Sequence, residues 1–126
     1  MSIVAVLGAS DDPERYSYKA IQLLQEKGHE VFPVHPTLKQ IDGLKVYASL
    51  KDLPKPMDVL SVYLSKAVSD KMTDQILQAK VRRVIFNPGA ENPELEAKVS
   101  SMGMKPLEAC TLVLLRTDQF DKISNP

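Results

Sequence analysis

Five short apolar runs punctuate the chain, and between them apolar residues recur at helical spacing. The first run, Ile3-Val4-Ala5-Val6-Leu7, is unbroken and ends at Gly8. A continuous aliphatic strand of this kind is buried on both faces of a parallel sheet, so it predicts a central strand. After a polar stretch, Ala20, Ile21, Leu23 and Leu24 recur with helical spacing in a helix over about 17–27, and Gly28 stands where a helix C-cap belongs. A second strand is expected over 30–34, stopped by Pro33 and Pro36, and Gly43 leads to a short extended piece at 45–47. Ser49 and Asp52 have capping-box spacing for a single turn that Pro54 and Pro56 terminate.

The third strand falls at 58–64. Val68, Met72, Ile76 and Ala79 share one face of a helix expected over 66–80, and the fourth strand, 83–86, ends at Asn87-Pro88-Gly89. Asn92 as N-cap, Pro93 at the first helical position and Glu94 in the first turn open a helix that Gly103 closes, with Leu95, Val99 and Met102 inward. A fifth strand follows at 104–107. Strands alternating with helices describe right-handed βαβ units, hence an α/β fold with a doubly wound parallel sheet of five strands. A chain that starts in the middle of such a sheet suggests the order 3-2-1-4-5. The ligand crevice would then lie between the C-terminal ends of the first and fourth strands.

A length of 126 residues implies one domain, 1–126, with one core. Sixteen Lys+Arg balance sixteen Asp+Glu, so no global positive field gathers nucleic acid or anionic lipid. The apolar runs, Ile3 to Leu7 and Leu112 to Leu115 among them, are far too short to span a bilayer. No basic segment precedes the short N-terminal run, so a cytoplasmic protein is expected. One cysteine and two histidines supply neither a disulfide nor a zinc cluster. Tyr16, Tyr18, Tyr47 and Tyr63 are too scattered for a nucleic-acid stacking platform. The expected partner is a small nucleotide-like molecule.

In a doubly wound fold the loops after the strands carry chemistry, which singles out Gly8-Ala9-Ser10, His35-Pro36, Ser65-Lys66 and Asn87-Pro88-Gly89. Gly8 allows a sharp turn beside a pyrophosphate, Ser10 offers a hydroxyl, and the helix that follows directs free N–H groups at negative charge. The dinucleotide pattern GxGxxG is absent, and the second strand ends in Val34-His35-Pro36 with no carboxylate for a ribose 2′-hydroxyl. Lys39 follows shortly and either answers a ribose phosphate or is a solvated loop lysine. His29 lies at the start of the second strand, away from the crevice, and reads as structural. His35 is placed either to stack on a base or hydrogen-bond a phosphate, or simply to pack its loop.

The string IVAVLGASDDPERYSYKAIQLLQEKGHEVFPVHP, the later IDGLKVYASLKDLP, the NPG after the fourth strand and EACTLVLL near the end resemble the small CoA-binding domain family. The likeness runs from about Ile3 to Phe120. It implies a free-standing Rossmann-like domain, similar to the nucleotide-binding module of the succinyl-CoA synthetase alpha subunit. The implied ligand is coenzyme A or an acyl-CoA, with no reaction attached. Carried over by position, Gly8, Ala9 and Ser10 would hold the phosphates, Arg15 would add a cation, and Val34, His35 and Pro36 would border the adenine. Two positions depart from many members: His35 replaces Asn, and Tyr63-Leu64-Ser65-Lys66 replaces a segment with an Arg-Pro pair. Lys66 is a less directional substitute for that guanidinium. Cys110, after the fifth strand, would lie near a ligand thiol or serve as an apolar filler. Two alternatives stay open: a CoA-dependent enzyme fragment using Cys110 or His35, and a CoA-responsive regulator of a partner enzyme.

Overall fold

The unbroken run at the start of the chain forms the strand its pattern predicts, and every other element is placed relative to it. The computed structural model describes residues 1–124. In chain order the elements are β1 (Ile3–Leu7), α1 (Tyr16–Glu26), β2 (Glu30–Val34), a small hairpin of β3 (Gln40–Ile41) and β4 (Leu44–Lys45), and β5 (Val59–Val62). Then come α2 (Lys66–Ser69), α3 (Thr73–Ala79), β6 (Arg83–Phe86), α4 (Pro93–Ser101), β7 (Lys105–Glu108), α5 (Thr111–Arg116) and α6 (Phe120–Ser124). β1, β2, β5, β6 and β7 make one parallel sheet.

Alternation along the central strands splits the core in two. Ala5, Leu7, Leu60, Val62 and Phe86 pack with Ile76, Leu95 and Val99 on one face. Val4, Val6, Val59 and Ile85 pack with Ile21, Leu24, Leu114 and Phe120 on the other. Helices therefore cover both faces, which is why β1 and β5 carry no polar face.

The order across the sheet is β2-β1-β5-β6-β7, the second, first, third, fourth and fifth strands, and it differs from the expected 3-2-1-4-5. The third strand lies against the first, and the second is an edge. Proline accounts for this. His35 N donates outward to Tyr47 O, so position 33, two residues back, also directs its amide away from β1. Pro33 has no N–H to give there, and an interior strand would miss that ladder bond. On the far edge, Lys105 N and Ala109 N donate inward to β6, which turns Pro106 outward by the same parity. The sheet's direction reverses between β1 and β5, and the crevice moves with it.

Two further expectations change. The helix expected over 66–80 breaks: α2 ends at Ser69, a 3-10 turn spans Asp70–Met72, and α3 ends at Ala79, followed by Lys80 with a φ of +51°. Asn92 Nδ2 donates to Ser69 Oγ and Asp70 Oδ1, both at 2.9 Å, pinning the break. Val68 and Met102, expected inward, are exposed. The apolar run near the C-terminus is a helix, α5, seated by a buried polar cluster. Asn87 Nδ2 donates to Ser61 Oγ (3.0 Å) and Val62 O (2.9 Å), its Oδ1 accepts Thr111 N (2.8 Å), and the Ser61 and Thr111 hydroxyls are 2.8 Å apart. All three side chains are fully buried, so each polar atom needs these partners. Among the described residues no helix is long and apolar enough to cross a membrane.

His29 is structural, as its position suggests. Its Nδ1 accepts Ser2 N at 3.0 Å, and its ring meets Phe120 edge-on at 5.0 Å. Burial lowers its pKa below the usual 6.5, and Asp121, 3.7 Å from Nε2, offsets only part of this. A histidine depressed in the folded state stabilises the fold above its unfolded pKa, and that contribution fades as pH falls. Urea unfolding should therefore show stability declining below about pH 6.5, with a shallower decline in His29→Gln. Parallel pH profiles for the two proteins would contradict this.

Candidate ligand-binding crevice

Above the C-terminal ends of β1 and β5 the structure leaves a cavity of about 650 Å³, within the size of ligand pockets generally. Its floor is the turn after β1. Gly8 has φ +87°, and a Cβ there would lie 2.9 Å from Leu64 Cδ2, 3.1 Å from Tyr63 C and 3.2 Å from Tyr63 O. Only a residue without a side chain lets the two strand ends approach this closely. The turn is tied down by Gly8 N and Ala9 N, both donating to Val34 O, and by Tyr63 N donating to Leu7 O at 2.8 Å.

Past the turn, local bonds wind the chain into α1. Asp12 N donates to Ser10 Oγ and Glu14 N donates to Asp12 Oδ1, both at 3.0 Å. Ser10 accepts in that bond, which leaves its own O–H to donate. No side chain caps α1 at Arg15, and Arg15, Tyr16 and Ser17 line the cavity. An uncapped helix start beside a glycine turn directs N–H groups at an anion. The rim also carries Asp11, Asp12 and Glu14 against Arg15, so uncharged donors, more than net charge, make this place suit an anion.

From β2, His35 and Leu38 complete one wall; from the end of β5, Tyr63 and Leu64 complete the other. The Tyr63 hydroxyl is buried without a hydrogen-bond partner. Burial raises its pKa well above the usual phenol value, outweighing the opposite effect of the Thr111 and Ser61 hydroxyls. It stays protonated at neutral pH.

Of the residues the sequence singles out, the cavity gathers Gly8, Ala9, Ser10, Arg15 and His35. Val34 is buried beneath them and contributes its carbonyl. Pro36 and Lys39 are exposed on the loop beyond His35 and do not line the cavity. Lys66 is held by Asp70 at 3.0 Å and Glu94 at 3.4 Å. Asn87 serves the buried cluster, with Pro88 and Gly89 exposed beyond it. Cys110 is half-buried before α5 and outside the lining. Tyr63 and Leu64 line the cavity although the sequence did not single them out as site residues: once Pro33 assigns β2 to an edge, the third strand pairs with the first and its end faces Gly8. Among the described residues no group of three or more His, Cys, Asp or Glu is arranged to hold a metal. A smaller cavity of about 280 Å³ beside Met57 and Val81 shares no residue with the crevice.

With this geometry in hand, the comparison with known proteins is decisive on one point: the profile of the CoA binding domain family matches residues 2–116. The chain belongs to that family. Among the relatives of this CoA-binding domain, an uncharacterized protein of Bacillus subtilis (strain 168), YneT, is 28% identical over 100 residues, covering 79% of this chain and 74% of YneT. The alpha subunit of the ADP-forming acetate–CoA ligase II of Pyrococcus furiosus is 34% identical over 64 residues. That stretch is 50% of this chain and only 14% of the ligase subunit. A crystal structure of an uncharacterized protein superposes with a TM-score of 0.86 at 33% identity, covering 95% of this chain and 98% of that one.

The tight floor of the crevice is testable by itself. Gly8→Ala should cost about 2 kcal/mol or more in urea unfolding, from the positive φ and the contact with Tyr63 and Leu64 together. Gly43 has φ +82° but meets nothing within 4 Å, so Gly43→Ala should cost clearly less. Equal losses would mean that the approach of the two strand ends is not what requires glycine.

Proposed function

We propose that this CoA-binding domain, 1–126, is a cytoplasmic protein that binds coenzyme A or an acyl-CoA in the crevice above β1 and β5, without catalysing a reaction by itself. The observation that carries the reading is the floor of the cavity: a glycine turn that no side chain can occupy, beside an uncapped helix start. The pyrophosphate sits over Gly8, Ala9 and Ser10, with Arg15 as its cation. His35 and Leu38 border the nucleoside, and Lys39, just beyond, meets the phosphorylated ribose. The thiol end extends toward the side of the sheet where Cys110 lies.

Two features favour binding over catalysis. The carboxylates at the rim lie beside a single histidine whose acceptor nitrogen is already engaged by backbone N–H groups. The phenol beside them stays protonated. The part-length likeness to an acetate–CoA ligase subunit supports a second reading, in which the domain serves an enzyme that supplies the remaining machinery. Pull-down from its own cells with and without CoA separates the two, since a partner held only with CoA bound favours the second.

The direct test is thermal. CoA at 100 times its dissociation constant should stabilise the domain by about 2.7 kcal/mol, about 4 °C or more in Tm, and NAD or ATP at the same concentration should do less. Ser10→Leu should abolish the CoA shift while leaving the unliganded Tm near that of the wild type. Shifts with NAD equal to those with CoA would sink the assignment.

A further inference from the structure

His35 opens the loop after β2, half-buried, and lines the crevice. Its Nδ1 accepts two backbone N–H groups, from Thr37 and from Leu38, each at 3.1 Å, and the Thr37 hydroxyl lies 3.4 Å away. A ring nitrogen that accepts carries no proton, so in the neutral imidazole the proton is on Nε2. We infer that His35 is a positioning residue: it braces the loop wall through Nδ1, presents any ligand with an Nε2–H donor and no base, and releases the brace when protonated. The ligand part rests on the CoA reading above; the brace does not.

The chemistry leaves little alternative. An imidazolium donates from both nitrogens, so no rotation of the ring restores an acceptor for Thr37 N and Leu38 N. Both amides lose their partner at once. Against this stands the positive charge gained beside an anionic ligand. The charged groups that share the cavity with the ring are Asp11, Asp12, Glu14 and Arg15 from the turn after β1 and the start of α1. From β5 comes Tyr63, a protonated phenol; Lys39 stands on His35's own loop, and Tyr47 pairs with the β2 edge through its backbone. Three carboxylates against one guanidinium offset the charge of an imidazolium as a ligand contact. An exposed charge contact is weak and screened, whereas two amide bonds are lost together. The loss dominates, and the wall loosens as pH falls.

Three variants separate bracing from mere packing. Wild type, His35→Asn and His35→Ala are compared between about pH 8 and pH 5.5, the range over which imidazole changes charge. Asn offers an untitratable side-chain oxygen to the same two amides; Ala offers nothing. Ring nitrogen NMR of the unliganded wild type should show the Nε2–H form at high pH. The Thr37 and Leu38 amide signals should move with the ring's titration, remain still in His35→Asn, and be displaced at all pH values in His35→Ala. Because the ribose phosphate of CoA itself changes charge over this range, CoA affinity should fall about fivefold more in the wild type than in His35→Asn, and be weak throughout in His35→Ala.

An Nδ1–H form in the neutral ring, or amides indifferent to its titration, would overturn the brace. A wild-type affinity that falls no more than that of His35→Asn, alongside titrating amides, would overturn its link to the ligand. If CoA binds none of the proteins at pH 8 while the amides titrate as described, the brace stands and the CoA reading of the crevice falls.

Discussion

The crevice exists because β1 and β5 lie side by side and the chain leaving β1 must turn within van der Waals reach of the chain leaving β5. That constraint is local and severe: a methyl group at position 8 would press on both the backbone of Tyr63 and the side chain of Leu64. Glycine resolves it and adds the positive φ that aims the following residues across the sheet top toward α1. Ser10, the uncapped first turn of α1 and the loop beginning at His35 then face one volume. The buried Asn87, Ser61 and Thr111 cluster holds the neighbouring strand ends and α5 in place behind it, so that the wall carrying Tyr63 has fixed support.

A domain with equal numbers of acidic and basic residues has no overall field with which to attract a multiply charged ligand. Its crevice compounds the difficulty with three carboxylates at the rim. On the proposed reading, recognition of phosphate depends on oriented neutral donors: backbone N–H groups at a helix start, a serine hydroxyl that already accepts from Asp12 N, and a histidine whose tautomer is set by its own loop. Such donors discriminate by geometry and direction. Lys66, which by sequence position was a less directional substitute for a guanidinium, is paired with Asp70 just after α2 and with Glu94 on α4.

Most of the fold was legible because the central strands have an apolar signature and several helix boundaries carry a marker residue. Gly28, Asn92, Pro93 and Gly103 stand where the helices end or begin. Strand order was not legible from central burial, because β1 and β5 are equally buried and the run at 3–7 looks the same in either arrangement. The informative residue was Pro33, which reads as a strand stop in one dimension but marks an edge in two. The break at 69–72 escaped notice because it depends on Asn92, some twenty residues onward. At the site, residues adjacent to Gly8 in sequence were legible. Tyr63 and Leu64 were not, since their role follows only from which strands are neighbours. Asn87 looked like a ligand contact because it ends a strand at the correct level, yet its amide is consumed by three buried partners.

The central claim is that CoA is held at the turn after β1, and backbone amide chemical-shift mapping during a CoA titration tests it most directly. The account predicts saturable changes centred on Gly8, Ala9, Ser10, Arg15, His35 and Tyr63, with the opposite end of the sheet around Met57 and Val81 unaffected. Saturable changes confined to that opposite end, or none at any CoA concentration, would contradict it.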